Sequence, residues 1–337
     1  MYGKEGMVTD MRIDFAPLEG ITTYTYRKLH HKYYGGIDRY FAPFISPGPG
    51  QGLSVKEVRD ILPENNGGLR VVPQLMANHA PTFLAAAKVL AAYGYQEINL
   101  NLGCPSGTVA AKKKGAGFLA YPEELEAFLE EIFADHEVAA GQIGISIKTR
   151  IGKFSAEEWP ELMQIYNRFP LQELIVHPRV QKDFYRNRSR WEAYADARRE
   201  SRNRLVYNGD ISTVEEYLRF CSQFPDEEAV MLGRGLVGNP ELGEQISRIQ
   251  NGEDAKALDG KRLRAFHDEL LEAYCELMSG ERNVLFKMKE LWCYMAVMFP
   301  DSQKTEKRIK KAAHMREYKE AVNAMFTSPE GGQGRIL

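Results

Sequence analysis

The 337-residue chain has only four cysteines, Cys104, Cys221, Cys275 and Cys293, with no Cys-x-x-Cys pair and no zinc-binding spacing with histidine. So sparse a set excludes a disulfide framework and suits a reducing compartment, and no metal site is expected. Long apolar runs are also missing. Nothing approaches the roughly 18 consecutive apolar residues that a membrane helix needs, and Met1–Asp14 has charges but no apolar stretch of signal-peptide length. A cytoplasmic protein without membrane attachment is therefore expected. An excess of one charge is lacking as well: 44 basic and 46 acidic residues leave −2. Any contact with nucleic acid must then come from local clusters. No Gly-x-Gly-x-x-Gly turn follows the first apolar run, which argues against a dinucleotide-binding open sheet.

What the chain does have is alternation. Short apolar runs at Arg12–Ala16, Arg39–Pro43, Arg70–Met76, Glu97–Leu102, Ile143–Thr149, Glu173–His177, Arg204–Tyr207 and Ala229–Leu232 read as strands. Between them, Ala80–Ala92, Pro122–Ala134, Ala156–Phe169 and Thr213–Phe224 repeat apolar residues every three or four positions and read as helices. Pro122 suits a first helical turn, and Ser212 is expected as an N-cap. Eight such repeats predict an α/β fold, a (β/α)8 TIM barrel over residues 11–250. The second repeat is the weakest, because Ser46–Gly52 is a Pro/Gly-rich loop. After the linker Asn251–Gly260, Lys261–Ala324 reads as helices alone, with Phe266, Leu270, Leu271, Tyr274 and Leu277 on one apolar face. A C-terminal helical domain over 261–325 is expected, and a tail without structure from Thr327.

Polar residues collect at the carboxyl ends of the expected strands, the face on which barrels carry their active sites. They are Glu19, Gln74, Asn101, Cys104, Lys148, Arg150, His177, Arg179, Asn208-Gly209-Asp210 and Gly233-Arg234-Gly235. Glycine-rich turns after the seventh and eighth strands favour a phosphate-bearing cofactor, with Arg234 as a charged contact. Lys148 ends an apolar strand and needs an anionic or electron-rich partner if it points inward; a solvent-directed lysine is the alternative. In a flavin site it would stabilise the reduced ring, whose pyrimidine edge Gln74 suits. Cys104 stands in a loop between glycine and proline, where a positioned thiol can donate a proton as a hydride arrives at the neighbouring carbon. A redox-sensing thiol or a covalent nucleophile would also suit that place. The other three cysteines are expected to be buried and inert. His177 reads either as a core histidine or as a ligand of flavin or substrate.

These residues fall into motifs: Phe15-Ala16-Pro17-Leu18-Glu19-Gly20, Gln74-Leu75, Asn99-Leu100-Asn101-Leu102-Gly103-Cys104-Pro105, Lys114-Gly115-Ala116-Gly117, Lys148-Thr149-Arg150, His177-Pro178-Arg179, Asn208-Gly209-Asp210 and Gly233-Arg234-Gly235. Through the barrel, and weakly into the helical tail, the chain resembles the tRNA-dihydrouridine synthases. The Asn-x-x-Cys-Pro element is shared with dihydroorotate and dihydropyrimidine dehydrogenases; Lys-Gly-Ala-Gly and His-x-Arg are more specific. The resemblance implies FMN reduced by NADPH, hydride transfer to C6 of a uridine in tRNA, and protonation of C5 by Cys104. It implies FMN contacts from Pro17, Leu18, Glu19, Gln74, Lys148, His177, Asn208, Gly209, Asp210, Gly233 and Arg234. Asn101 would place the uracil, and Arg150 and Arg179 would face the RNA. Thr22-Thr23, Pro178 and Tyr185-Arg186-Asn187 depart from the family pattern; they lie in loops on the RNA side and bear on the target nucleotide more than on flavin chemistry.

Two segments are locally basic. Residues 179–204 hold nine basic and four acidic residues, and 302–320 hold seven and three, with Lys112-Lys113-Lys114 as a further cluster. Together they suit tRNA or another structured RNA gripped from two sides. The alternative is a flavin-dependent dehydrogenase of a free pyrimidine, like dihydroorotate dehydrogenase, which needs no basic rim. A monomer is expected.

Overall fold

Strands and helices alternate from residue 12 to residue 250, and helices alone follow. The computed structural model describes residues 10–48, 52–299 and 302–327. In chain order the elements are β1 (Arg12–Phe15), α1 (Tyr24–Tyr33), β2 (Arg39–Phe41), α2 (Val55–Ile61), β3 (Val71–Val72), β4 (Gln74–Leu75), α3 (Ala80–Ala92), β5 (Glu97–Leu102), α4 (Gly107–Ala110), α5 (Pro122–Ala134), α6 (His136–Ala139), β6 (Gly144–Arg150), α7 (Trp159–Tyr166), β7 (Leu174–His177), α8 (Trp191–Glu200) and β8 (Leu205–Tyr207). Then come α9 (Val214–Gln223), β9 (Ala229–Leu232), α10 (Arg234–Gly238), α11 (Leu242–Gln250), α12 (Gly260–Leu277), α13 (Glu281–Met295), α14 (Gln303–Lys311) and α15 (Met315–Thr327).

The strands form one sheet in the order β3-β2-β1-β9-β8-β7-β6-β5-β4. Its two ends, β3 and β4, are consecutive pieces of a single expected strand, interrupted at Pro73, which has no N–H to give to a ladder. The sheet is therefore parallel and nearly closed, a TIM-barrel-like fold with C-terminal helices. The chain divides into two compact units. One takes Arg39–Asp210 and Glu228–Met231; the other takes the described residues up to Asp38, Ile211–Glu227, and those from Leu232 onward.

In the first unit, side chains alternate along β5, so Ile98, Leu100 and Leu102 share one face and Glu97, Asn99 and Asn101 the other. Register sets Asn99 beside Gln74 and Ser146, and Asn101 beside Lys148. Arg39 on β2 donates to Glu97 at 3.0 Å and to Glu173 at 2.5 Å. Arg39 and Glu97 lie on strands that are not neighbours and Glu173 directly precedes β7, so the three meet across the barrel interior. In the second unit, α1 packs on α12 through Tyr26 and Tyr33 against Phe266, which also meets Tyr34 just beyond α1. Burial holds the His30 imidazole down to about 3, so it is neutral there while its Nε2 faces the Pro240 carbonyl. Tyr318 Oη links His267 and Trp292 within the C-terminal helices.

Several expectations are corrected at the level of single residues. The second repeat does contain a helix, α2, whose Ser54 and Glu57 form a reciprocal capping box. The N-cap of α9 is Thr213, whose hydroxyl accepts from Glu216 N, while Ser212 N donates to the Glu216 carboxylate. Cys275 and Cys293 are exposed and Cys221 is half-buried, because the apolar stripes of their helices lie on other faces. Leu277 is 38% exposed at the end of its helix, whereas Phe266, Leu270, Leu271 and Tyr274 are buried. The unstructured tail was expected from Thr327, but Thr327 closes α15, and the residues from 328 on lie outside the described residues. Among the described residues no helix is long and apolar enough to cross a membrane.

Candidate active site

Cys104 follows β5 directly, and its position is set by Asn101. The Asn101 Oδ1 accepts from Gly103 N at 3.0 Å and from Cys104 N at 2.9 Å, clamping the turn that carries the half-buried thiol. Asn101 is oriented in turn. Its Nδ2 donates to Gln74 Oε1 at 2.7 Å, Gln74 Nε2 to Asn99 Oδ1 at 2.7 Å, and Asn99 Nδ2 to Ser146 Oγ at 2.8 Å. Ser146 Oγ donates to Glu97 at 2.6 Å, and Glu97 accepts from Arg39. Every amide donates in the same direction, towards the half-buried Glu97 carboxylate. The chain therefore fixes which end of each amide is oxygen, and its dipoles reinforce one another. Gln74 retains only one N–H and one lone pair for anything else.

The Lys114–Gly117 element holds the Cys104 loop from its other side. Ala116 N donates to Cys104 O at 3.0 Å. Gly115 has φ +55°, and a Cβ there would lie 3.0 Å from Cys104 Cβ; one at Gly117 would meet Ala110 Cα at 2.4 Å. Both positions accept only glycine.

Arg150 and Arg179 turn inward. Arg150 is fully buried and donates to the carbonyls of Gly103, Val180 and Phe184 at 3.0, 2.8 and 2.9 Å. It thereby ties the cysteine loop to the segment after β7. Arg179, 2% exposed, makes a two-pronged ion pair with Asp210 at 2.8 and 2.6 Å and donates to His177 Nε2 at 2.9 Å. A guanidinium only donates, so His177 Nε2 is the acceptor and the ring proton sits on Nδ1. Asp210 also accepts from Ser189 N, and Asn208 Nδ2 donates to Met231 O at 2.7 Å. Of the basic residues in 179–204, Arg179 is thus spent inside the protein and Arg190 pairs with the Asp183 carboxylate, while Lys182, Arg186, Arg188, Arg199, Arg202 and Arg204 stay exposed.

Lys148 is different. Among the described residues its ammonium has no hydrogen bond and no carboxylate partner, and Nζ lies 4.0 Å from where a Cβ on Gly103 would be. Burial, with the positive charge of Arg150, brings it down to about 7, against the pull of Cys104. In the other unit, the Leu18 turn is closed by Thr22 Oγ1, which accepts from Leu18 N at 2.9 Å; Pro17 and Leu18 are half-buried and Glu19 exposed. A Cβ on Gly233 would make only ordinary contacts, 3.4 Å to Ala16 Cβ and 3.7 Å to Leu18 Cδ1. Packing alone does not demand glycine there.

A clamped thiol and a half-buried lysine at the carboxyl ends of a TIM-barrel-like sheet mark the active-site face of a barrel enzyme. Comparison with known proteins narrows the class. The family described as Dihydrouridine synthase (Dus) matches residues 14–329, and the chain belongs to it. It is 30% identical over 250 residues to the tRNA-dihydrouridine(16) synthase of Pseudomonas putida, covering 72% of this chain and 76% of that one. It is 24% identical over 291 residues to tRNA-dihydrouridine synthase B of Vibrio vulnificus, covering 82% and 85%. Among solved structures, histamine dehydrogenase from Rhizobium sp. 4-9 superposes with a TM-score of 0.53 at 12% identity. That match covers 83% of this chain and 49% of the other, so the chain spans about half that protein's length, and the likeness shows the fold alone. The protein is a dihydrouridine synthase oxidoreductase, and its family implies a flavin. The half-buried Lys148, with no carboxylate partner among the described residues, fits one.

Proposed function

We propose that the protein reduces the C5–C6 bond of a uridine in tRNA, using FMN and NADPH, with Cys104 as the acid. The observation that carries this reading is the double clamp of Asn101 on the Cys104 backbone beside the unpaired Lys148. When bound, FMN reduced by NADPH supplies the hydride that reaches C6. Cys104 gives its Sγ proton to C5, the double bond becomes single, and the thiolate left behind regains a proton from solvent. The Lys148 charge favours that thiolate, as their mutual attraction indicates. Gln74, Lys148, His177, Asn208, Gly209 and Asp210 would hold the flavin. Asn101 would orient the uracil through its remaining N–H. Arg150 and Arg179 act by holding loops, with their guanidinium groups already taken by protein acceptors. The helical segment 261–325 would meet the RNA through the cleft of about 370 Å³ lined by Lys307, Arg308 and Lys311, with Glu317 and Glu320 on its edge.

The test is to read the purified protein's absorbance for flavin and to map dihydrouridine in tRNA from cells lacking the gene. Unchanged dihydrouridine, with no second synthase present, would sink the proposal. Lys148 gives an independent check. With its value at about 7 in the free protein, roughly nine-tenths of the lysine is neutral at pH 8. An electron-rich ring beside it favours the charged form, so FMN binding at pH 8 should take up close to one proton. Below about pH 6 the lysine is already charged and uptake should vanish. Calorimetry in two buffers of different ionisation heat measures this, and Lys148→Met should abolish it. Equal heats in both buffers at pH 8 would rule out the contact.

A further inference from the structure

Beside the Cys104 loop lies a ladder of alternating cations and aromatic rings that the chemistry above does not use. Lys113 Nζ stands 4.0 Å from the Tyr121 ring centre and Lys153 Nζ 5.6 Å from the same ring. Lys153 Nζ is also 4.9 Å from the Phe154 ring, and Lys182 Nζ is 4.8 Å from it. Phe154 is 54% exposed, and Lys182 is exposed as well. Neither Lys153 nor Lys182 forms an ion pair among the described residues.

This display is rigid. The Glu158 carboxylate accepts from Lys153 N at 2.8 Å, Phe154 N at 2.7 Å and Ser155 N at 2.8 Å, so one side chain holds three successive amides. Gly152, at φ +154°, could not carry a side chain, because a Cβ would lie 2.4 Å from Ser155 O. The ladder is also tied to the thiol. Gln181 N donates to Gly152 O at 2.9 Å, and Gln181 Nε2 donates to Pro105 O at 3.3 Å. The two non-glycine residues with positive φ in the described chain, Lys113 at 52° and Phe184 at 50°, stand in the loops on either side. Strain of this sort persists where surrounding structure enforces it, and it collects at ligand clamps.

An exposed phenylalanine ringed by unpaired ammonium groups makes a poor seat for an apolar protein surface, which would bury those charges unpaired. It suits a partner that offers a flat π-face and negative charge within one residue's reach, which is a nucleotide in a single strand. We propose that Phe154, with Lys153 and Lys182, binds the unpaired nucleotide next to the extruded uridine. Its base stacks on Phe154 and its phosphates meet the two lysines. The inference rests on the tRNA-reductase reading, since extruding a uridine leaves neighbouring bases unstacked and in need of a surface.

The test uses the flavin-loaded full chain and tRNA from cells lacking the gene, measuring tRNA affinity and the KM and rate of dihydrouridine formation. Phe154→Ala should raise the dissociation constant and KM about 10-fold, with flavin content and thermal midpoint as in the parent. Phe154→Trp should stay within about 2-fold, and Phe154→Leu should resemble alanine, because stacking needs a π-face. The pair Lys153→Ala/Lys182→Ala should lower the slope of log affinity against log salt by about 1.4, at about 0.7 per phosphate of a single strand. If Phe154→Ala binds tRNA as the parent does while the parent forms dihydrouridine, the subsite is wrong and the function stands. If tryptophan fails as badly as alanine, the ring acts in packing only and the proposal falls. A parent that forms no dihydrouridine overturns both readings together.

Discussion

Cys104→Ala should lower dihydrouridine formation by about 10²–10⁴-fold, the usual contribution of a positioned general acid. Bound flavin should remain. The change removes one sulfur and leaves intact both backbone N–H bonds to Asn101, the Ala116 bond to Cys104 O, and the Arg150 bond to Gly103 O. All of these bonds run through backbone atoms of the loop. Cys104→Ser should recover little, because a hydroxyl holds its proton far more tightly than a thiol. Absorbance of the purified variant and mapping of dihydrouridine in tRNA after single turnover read the two effects separately. Loss of flavin along with activity would contradict a proton-donor role.

Arg39→Met should have the largest effect on stability, costing about 3–5 kcal/mol, the usual cost of breaking a buried ion pair from one side. Arg39 is 7% exposed and serves two carboxylates, Glu97 and Glu173, so its removal leaves both facing each other inside the barrel. Urea unfolding reads the loss, and adding Glu97→Gln and Glu173→Gln should restore much of it by removing the stranded charge. A midpoint within error of the parent would show that this cluster does not anchor the interior. The cluster also ends the amide chain that reaches Asn101. Arg39→Met should therefore slow dihydrouridine formation, assayed well below its unfolding range, although Arg39 sits at the opposite end of the chain from the thiol.

The strands and most helices were legible because apolar spacing follows backbone geometry directly. Glu97–Leu102, Ala80–Ala92, Pro122–Ala134 and Ala229–Leu232 occur with the expected bounds. The helix α2 was missed although its signal was present, a serine followed three residues later by glutamate. Asn99 and Ser146 were not singled out as parts of the site's support. For Asn99 the signal was a period of two, Glu97, Asn99 and Asn101 alternating with Ile98, Leu100 and Leu102, whereas Ser146 lies on another strand and joins them only through register. Arg150 and Arg179 were expected to face RNA because arginine at a strand end is ordinarily available. Nothing local announces that carbonyls from residues 103, 180 and 184 converge on one guanidinium.

The thiol between glycine and proline, the glycines at 115 and 117, and the alternation that makes a barrel are properties of the chain itself, set by residue chemistry and spacing. Tertiary structure alone decided which polar groups meet. Strand register brought Gln74, Asn99 and Ser146 into one hydrogen-bonded line, and burial away from any carboxylate left Lys148 uncompensated. It also set Phe154 between two free lysines. Each of these depends on residues from different strands or loops, and sequence spacing carries no record of contacts made across a barrel.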